Sequence, residues 1–344
     1  MNLARFRQRL HQTWRALILP FAIGGCAWGI SFVTSIPYAD PLLIALVAGI
    51  VIRSFMGDRP GLTESASVAT SLLIPFGIFF YGAHNLNFAT LGQVEPQLLL
   101  VLIAVVAVYF ATIILMGRLN GQRQQITYLT ATGSAICGAS AIAVVSPSVQ
   151  AEPDDVSISL LAVTLAAILG LFTILPFLAT LFDMTSRTYG VLAGSVLQYS
   201  GFVKAAAQSV PHLEPDITGK ELVSLAMSIK ALRYLGLIIA IPLFASLVHR
   251  RIVIPAALWI FVVAGVLGTS LQIVFPVLSA EVVLPIISRI YSISWATAMA
   301  AIGLNANFAK LLSNQGIKAL IMAFGGFFAA TATFFIGLLL LGSF

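Results

Sequence analysis

A chain of 344 residues with 59% hydrophobic side chains, only 9% charged ones and a mean hydropathy of +1.02 cannot clothe a soluble domain in polar surface. Its net charge of +6 would ordinarily raise nucleic acid as a partner, but in so apolar a chain the placement of basic residues outweighs their sum. The two cysteines, Cys26 and Cys137, both lie in apolar runs, which excludes a disulfide framework and a paired-cysteine metal site; neither metal nor other cofactor is expected.

Long apolar runs separated by short charged turns predict an all-α polytopic membrane protein, and the lack of period-two alternation excludes a barrel. Eleven spans are expected, at about 16–36, 41–55, 67–84, 97–117, 126–147, 156–182, 188–208, 222–248, 253–275, 281–303 and 316–341. They form one transmembrane domain over 1–344, preceded by a basic segment over 1–15 that carries Arg5, Arg7, Arg9 and Arg15. The first run lacks a small-x-small cleavage pattern and reads as an anchor.

With the N-terminus in the cytoplasm, Arg53, Arg59, Arg118, Arg123, Arg187, Arg250, Arg251, Lys310 and Lys318 also fall on the inner side. The outer loops then hold Lys220 as their only basic residue, and most of the acids: Asp40, Glu95, Glu152, Asp154, Asp155, Glu214, Asp216, Glu221 and Glu281. That asymmetry follows the positive-inside rule, supports an odd number of spans and places the C-terminus outside.

Two stretches echo one another. "NLNFATL" (85–91) follows the third span and "NANFAKL" (305–311) the tenth; upstream, "LVAGIVIRS" (46–54) parallels "VVAGVLGTS" (262–270). Regions of about 41–117 and 253–341 thus read as a repeat, with chance similarity between apolar segments of few residue types as the alternative. Starting seven spans apart, the two copies would be inverted across the bilayer, a plan characteristic of secondary transporters. Asn85 and Asn305 are candidate site residues, with helix capping as the alternative.

The fifth run, "ITYLTATGSAICGASAIAVVSPS", is small, polar and closed by Pro147. Its helix propensity is the weakest of any span. Small faces could serve close helix packing. Alternatively the helix is discontinuous around Gly133–Ser140, so that backbone N–H groups and the hydroxyls of Ser134 and Ser140 face a cavity suited to an anion.

Charges inside the spans favour the second reading. Lys204, Lys230, Arg233 and Arg289 all fall within apolar runs, whereas no Asp or Glu lies well inside one. Intramembrane charge is costly and marks a pathway, a partner or a snorkelling end. Lys230 and Arg233 share a helix face, and Arg233 lies roughly 16 Å from the outer helix end. With no carboxylate available, a bound anion is the expected counter-charge. Lys204 lies close enough to its span end to snorkel.

Several ordered blocks then carry a resemblance: "PFGIFFYGAHNLNFATLG", "CGASAIAVVSPSVQAEPDDVSISL", "YGVLAGSVLQYSGFVKAAAQ", "KALR" and "MAAIGLNANF". From about residue 35 onward the chain resembles the YeiH-like family of bacterial inner-membrane proteins, which are often labelled sulfate exporters. That family is similar to the broader cation/proton antiporter and anion transporter group. The resemblance implies inverted repeats, crossed discontinuous helices and separate core and panel domains; its Cys-Gly-Ala-Ser-Ala-Ile block falls on Cys137–Ile142 and its Lys-x-x-Arg block on Lys230 and Arg233. The expected substrate site takes Gly133, Ser134, Cys137, Gly138, Ser140, Lys230, Arg233 and Arg289, with Asn85, Asn305 and Lys204 as further candidates.

The expected function is secondary transport of a small anion, sulfate or a related oxyanion or organic acid, by alternating access. An interior about 100 mV negative would release roughly 4.6 kcal/mol on export of a divalent anion. The rival readings are a cation/proton or sodium-coupled carrier on the same scaffold and a non-transporting structural or sensor subunit. An enzyme is not expected, because Cys137 and four scattered histidines make a poor catalytic set. The expected partners are the anion and the lipid bilayer, with a homo-oligomer left open and no nucleic acid.

Overall fold

The computed structural model describes residues 3–34, 41–57, 73, 76–86, 95–209, 217–305 and 312–341. The repeat blocks beyond Leu86 and Asn305, and the side chain of Asn305 itself, lie outside the described residues. So do the start of the third predicted span and the basic residues Arg59 and Lys310.

The described residues are helical and contain no strand. In chain order the helices are α1 (Leu3–Thr34), α2 (Pro41–Met56), α3 (76–85), α4 (Pro96–Leu119), α5 (Gln124–Thr132), α6 (Ala139–Val145), α7 (Pro153–Leu169) and α8 (Leu175–Leu181). They continue as α9 (Ser186–Val196), α10 (Ser200–Gln208), α11 (Gly219–Arg233), α12 (Gly236–His249), α13 (Ala256–Val274), the single turn α14 (Pro276–Leu278), α15 (Leu284–Asn305) and α16 (Asn314–Leu341). Wide π turns join α5 towards α6 (Gly133–Cys137), α7 to α8 (Gly170–Ile174) and α14 to α15 (Ser279–Val283).

Among the described residues, seven helices are long and apolar enough to cross a membrane. They lie at Leu17–Thr34, Pro96–Leu119, Pro153–Leu181, Gly219–His249, Ala256–Val274, Pro276–Leu304 and Asn314–Leu341. Of the other four predicted spans, the second is the shorter α2, and the third is described only over its last part. The fifth and seventh are interrupted, as α5/α6 and α9/α10.

Those two interrupted runs do not traverse the fold. The guanidinium of Arg123, just before α5, pairs with Glu152 at 3.4 Å and with Asp155 at 3.2 Å, at the start of α7. Ion pairs this short cannot bridge a hydrocarbon layer about 30 Å thick. The segment between them therefore enters and returns on one side. Gly133 and Ile142 confirm the fold-back: a Cβ on Gly133 would lie 2.6 Å from Ile142 Cδ1, whereas nine residues of straight helix would separate them by roughly 13 Å.

The second interrupted run behaves alike. Arg187, entering α9, pairs with Glu95, entering α4, at 3.2 Å. α9 then runs beside α11 in the same direction, with Gly190 against Leu222 and Gly194 against Ala226 and Ile229. α10 packs back along α9 and α11.

These contacts correct the side assigned to two loops. Glu152, Asp154 and Asp155 belong on the side of Arg123, and Arg187 belongs on the side of Glu95. Hydropathy misled here because a buried re-entrant hairpin is as apolar as a span; what it lacks is length in one direction.

Around the hairpins the long helices pack in crossed pairs. α15 lies against α2, α16 against α4, and α3 against α13, where Thr269 Oγ1 donates to the Leu86 carbonyl at 3.3 Å. The α2–α15 crossing brings backbones together through Gly49 and Gly303: a Cβ on Gly303 would clash with the Leu46 carbonyl oxygen. Such close approach is how small residues join helices in lipid, where burying apolar surface drives little. Many large apolar side chains, among them Leu100, Ile103, Trp259, Ile273 and Leu339, stay exposed on the outside, as a lipid-facing surface requires.

Candidate functional site

The hairpin tips meet where α11 ends. In the first hairpin α5 loosens into the π turn Gly133–Cys137 and stops at Gly138, whose φ of +69° and ψ of −127° suit only glycine. A Cβ there would also lie 2.8 Å from the Tyr199 ring, so this glycine meets the second hairpin at its own turn. In the second hairpin α9 ends at Val196, Leu197 and Tyr199 are extended, and α10 begins at Ser200.

Each break leaves carbonyls without helical partners and a partial negative charge at the helix end. Lys230 and Arg233, one turn apart on α11, answer both ends together. The ammonium of Lys230 donates to the carbonyls of Ile136 (2.6 Å), Leu197 (2.7 Å) and Gln198 (2.7 Å). Arg233 donates through Nε to Ala135 (2.8 Å), through Nη2 to Ser134 (2.8 Å), and through Nη1 to Leu197 (2.7 Å) and Gly194 (3.2 Å).

Both side chains are fully buried, and all three N–H donors of the lysine are used. The acceptors for both cations are therefore backbone carbonyls of two broken helices, which solvate the charges and leave the tips net positive. Charge-assisted bonds at 2.6–2.8 Å are of the strong kind.

Surrounding polar groups fix the tips. Tyr109 on α4 donates to the Val196 carbonyl at 2.8 Å, receives the Gln198 amide at 3.2 Å, and sets its ring 5.8 Å from the Arg233 guanidinium. Tyr199 shares a hydrogen bond with Thr164 of α7 at 2.6 Å, and Ser200 shares one with Tyr234 at 2.6 Å. Tyr81 of α3 donates to Cys137 Sγ at 2.7 Å, from an aromatic cluster with Tyr234, Phe261, Tyr291 and Trp295.

Gly133, Ser134, Cys137, Gly138, Ser140, Lys230 and Arg233 are thus all buried at or beside the tips. The hydroxyls of Ser134 and Ser195 are buried with no hydrogen-bond partner among the described residues. Lys204 and Arg289 are exposed instead. Asn85 is half-buried and donates to the Tyr81 carbonyl of its own helix at 3.2 Å.

The second tip escaped the sequence reading, although a signal was there. Gly194-Ser195-Val196-Leu197 repeats the pattern of Gly133-Ser134-Ala135-Ile136, and the equivalent carbonyls of Ile136 and Leu197 both bind Lys230. Tyr199 and Gln198, between those carbonyls and α10, lie within the block "YGVLAGSVLQYSGFVKAAAQ", but nothing in their residue types singles them out.

A separate cavity of about 470 Å³ lies between α4 and α11–α12, lined by Leu102, Val106, Phe110, Ile239 and Phe244, with Arg233 at its edge. Its walls are almost wholly apolar, which suits hydrocarbon and not an anion.

Known proteins place the chain. A family model described as conserved hypothetical protein 698 matches residues 15–323. A UPF0324 membrane protein of Archaeoglobus fulgidus is 29% identical over 332 residues, covering 95% of this chain and 92% of that one. A UPF0324 membrane protein of Staphylococcus aureus (strain N315) is 28% identical over 292 residues, 81% of this chain and 82% of its own. One of Bradyrhizobium diazoefficiens is 31% identical over 160 residues, 46% of this chain and 44% of its own. No solved structure matches. The chain belongs to the conserved hypothetical protein 698 family, the UPF0324 membrane proteins, which is the YeiH-like family its motifs resemble.

Proposed function

We propose that this membrane protein is a secondary transporter of a small anion, sulfate or a related oxyanion or organic acid, working by alternating access. The observation that carries the reading is the meeting of two re-entrant tips whose carbonyl ends are neutralised by Lys230 and Arg233. Irregular backbone at membrane depth is tolerated only inside protein or along a cavity, and interrupted helices near the midplane are where secondary transporters hold substrate.

With the carbonyl ends satisfied, the Gln198 side-chain oxygen remains an acceptor without a partner among the described residues at the second tip, and the groups left to face an anion are donors. They are the first N–H groups of α10, which begins at Ser200, and the buried Ser134 hydroxyl, which lacks a protein partner among the described residues. Gly138, Cys137 and Ser140 lie beside them, buried on the first hairpin. Lys230 and Arg233 supply the net positive field without touching the anion directly. Lys204 and Arg289 are exposed and do not join this set.

On this reading the fifth and seventh apolar runs enter and return, one from each face, and the other nine cross. The N-terminus lies in the cytoplasm of a bacterial inner membrane, the C-terminus lies outside, and 1–344 forms one transport domain. An inverted repeat of about 41–117 and 253–341 is supported by the packing. Exchanging the two copies turns the α2–α15 contact into the α3–α13 contact and leaves the α4–α16 contact in place.

The test is sulfate flux in proteoliposomes under an imposed potential. Wild type should carry sulfate towards the positive side at a rate that rises with the potential, and Ser134→Ala should slow it at unchanged fold. No flux above empty liposomes, from protein shown to be folded, removes sulfate from first place and sends the search to organic anions.

A further inference from the structure

The carbonyls of Ile136, Leu197 and Gln198 converge on one point, and the Lys230 nitrogen occupies it at 2.6, 2.7 and 2.7 Å. Three carbonyls from the C-terminal ends of two half-helices are the coordination that transporters use for a coupling cation, and rings of carbonyls hold dehydrated monovalent ions in channels. The point is fully buried, and no carboxylate among the described residues shares it.

We propose that these three carbonyls form a monovalent-cation site, kept filled by the Lys230 ammonium as a tethered ion. The chain thereby carries its own cation: the charge that joins the two tips does not depend on sodium, and anion movement needs none. The structural half of this proposal stands by itself, and its meaning for coupling rests on the transport reading above.

Two features support a tethered ion over a lysine that merely packs. A fully buried ammonium needs all three N–H donors satisfied whatever its role, but here each is taken by a carbonyl left free by a helix break and none by a side chain. Arg233, one turn on, reaches Leu197 as well but spreads its other bonds over Ser134, Ala135 and Gly194. The planar fork binds along the chain ends, and only the lysine nitrogen sits where a spherical ion would.

The test removes the tether and offers free ions. Lys230→Ala leaves three carbonyls facing the volume vacated by the side chain. Its melting temperature, measured in ammonium or methylammonium chloride against tetramethylammonium chloride at equal ionic strength, should rise by about 3–8 °C, and wild type should not respond. Sodium should give a smaller rise in the variant and none in wild type. No cation-specific rise in Lys230→Ala, or an equal rise in wild type, overturns the proposal. If Lys230→Ala yields no folded protein in any salt, ammonium included, wild type decides. An unchanged melting temperature when choline replaces sodium supports a filled site, and a sodium-specific rise overturns it. Because the readout is thermal, a protein that moves no sulfate still reveals whether the three carbonyls bind a cation, and a failed cage leaves the flux experiment intact.

Discussion

Arg123 and Asp155 are 32 positions apart in sequence and 3.2 Å apart in space, on either side of a segment apolar enough to be taken for a membrane crossing. Asp155 also accepts the Glu152 backbone N–H at 3.0 Å, closing the first turn of α7. One pair thus holds both ends of a hairpin at one face and starts the next full-length helix there. Sidedness follows directly. In a chain whose Cys26 and Cys137 are replaced, cysteines at Arg118 and Gln150, both exposed, should react with an impermeant maleimide from the same side of the membrane. Labelling of the two from opposite sides would show that α5/α6 crosses after all.

Arg233 joins four carbonyls across the two tips, so removing it strands them and breaks the bridge between hairpins. Arg233→Gln should cost about 3–5 kcal/mol of stability, the range for removing one side of a buried charged pairing. Arg233→Lys should recover part of that, because it keeps the charge but loses the planar fork. Denaturant midpoints in detergent check both. A glutamine variant as stable as wild type would make the arginine a ligand group held in reserve and not a brace.

The α2–α15 crossing makes a simpler prediction. A Cβ on Gly49 would lie 2.5 Å from the Ala300 carbonyl oxygen, and backbone does not give way as a side chain does. Gly49→Ala should destabilise by about 1–3 kcal/mol, the usual cost of overpacking. Gly25, on the neighbouring α1, has open space around its Cβ position, and Gly25→Ala should be neutral or slightly stabilising, since alanine is the better helix former. Thermal melts of the pair, run side by side, separate packing from propensity.

Much of this was legible in residue order. Composition fixes the solvent the protein faces, and the low helix propensity between Gly133 and Ser140 marks the first break. The isolated Lys230 and Arg233 mark the depth that matters. What a hydropathy window cannot register is direction. A re-entrant arm buried in protein has the same apolar run as a span, so α5/α6 and α9/α10 are indistinguishable from crossings until the ion pair at Arg123 ties the ends of the first and the parallel packing of α9 on α11 returns the second. Nor can it see backbone charge. Lys230 looked unpaired because its partners are carbonyls of Ile136, Leu197 and Gln198, which exist as acceptors only because the helices stop there. The Gly-Ser echo between 133–134 and 194–195 was readable, but it sits two apolar runs apart, outside the repeat spacing that the asparagine blocks suggested.

Gly138 tests whether the first tip is a built turn or a loose one. Its backbone occupies a region that side chains avoid, and its missing Cβ leaves room for the Tyr199 ring, which is itself held by Thr164. Gly138→Ala meets both obstacles and should cost about 2–4 kcal/mol, from strain at an unusual φ together with overpacking. The two causes separate in a double-mutant cycle. Tyr199→Ala removes the ring but leaves φ at +69°, so Gly138→Ala made in that background should cost less than in wild type by about 1 kcal/mol and still remain destabilising. If the cost vanishes entirely, the clash was everything and the turn tolerates a side chain. If it does not change, the ring moves freely and the two hairpins are not braced against each other at this point. A partial rescue, read as the difference between two melting curves, is the result the geometry demands, and it would locate the junction of the hairpins at Gly138 and Tyr199.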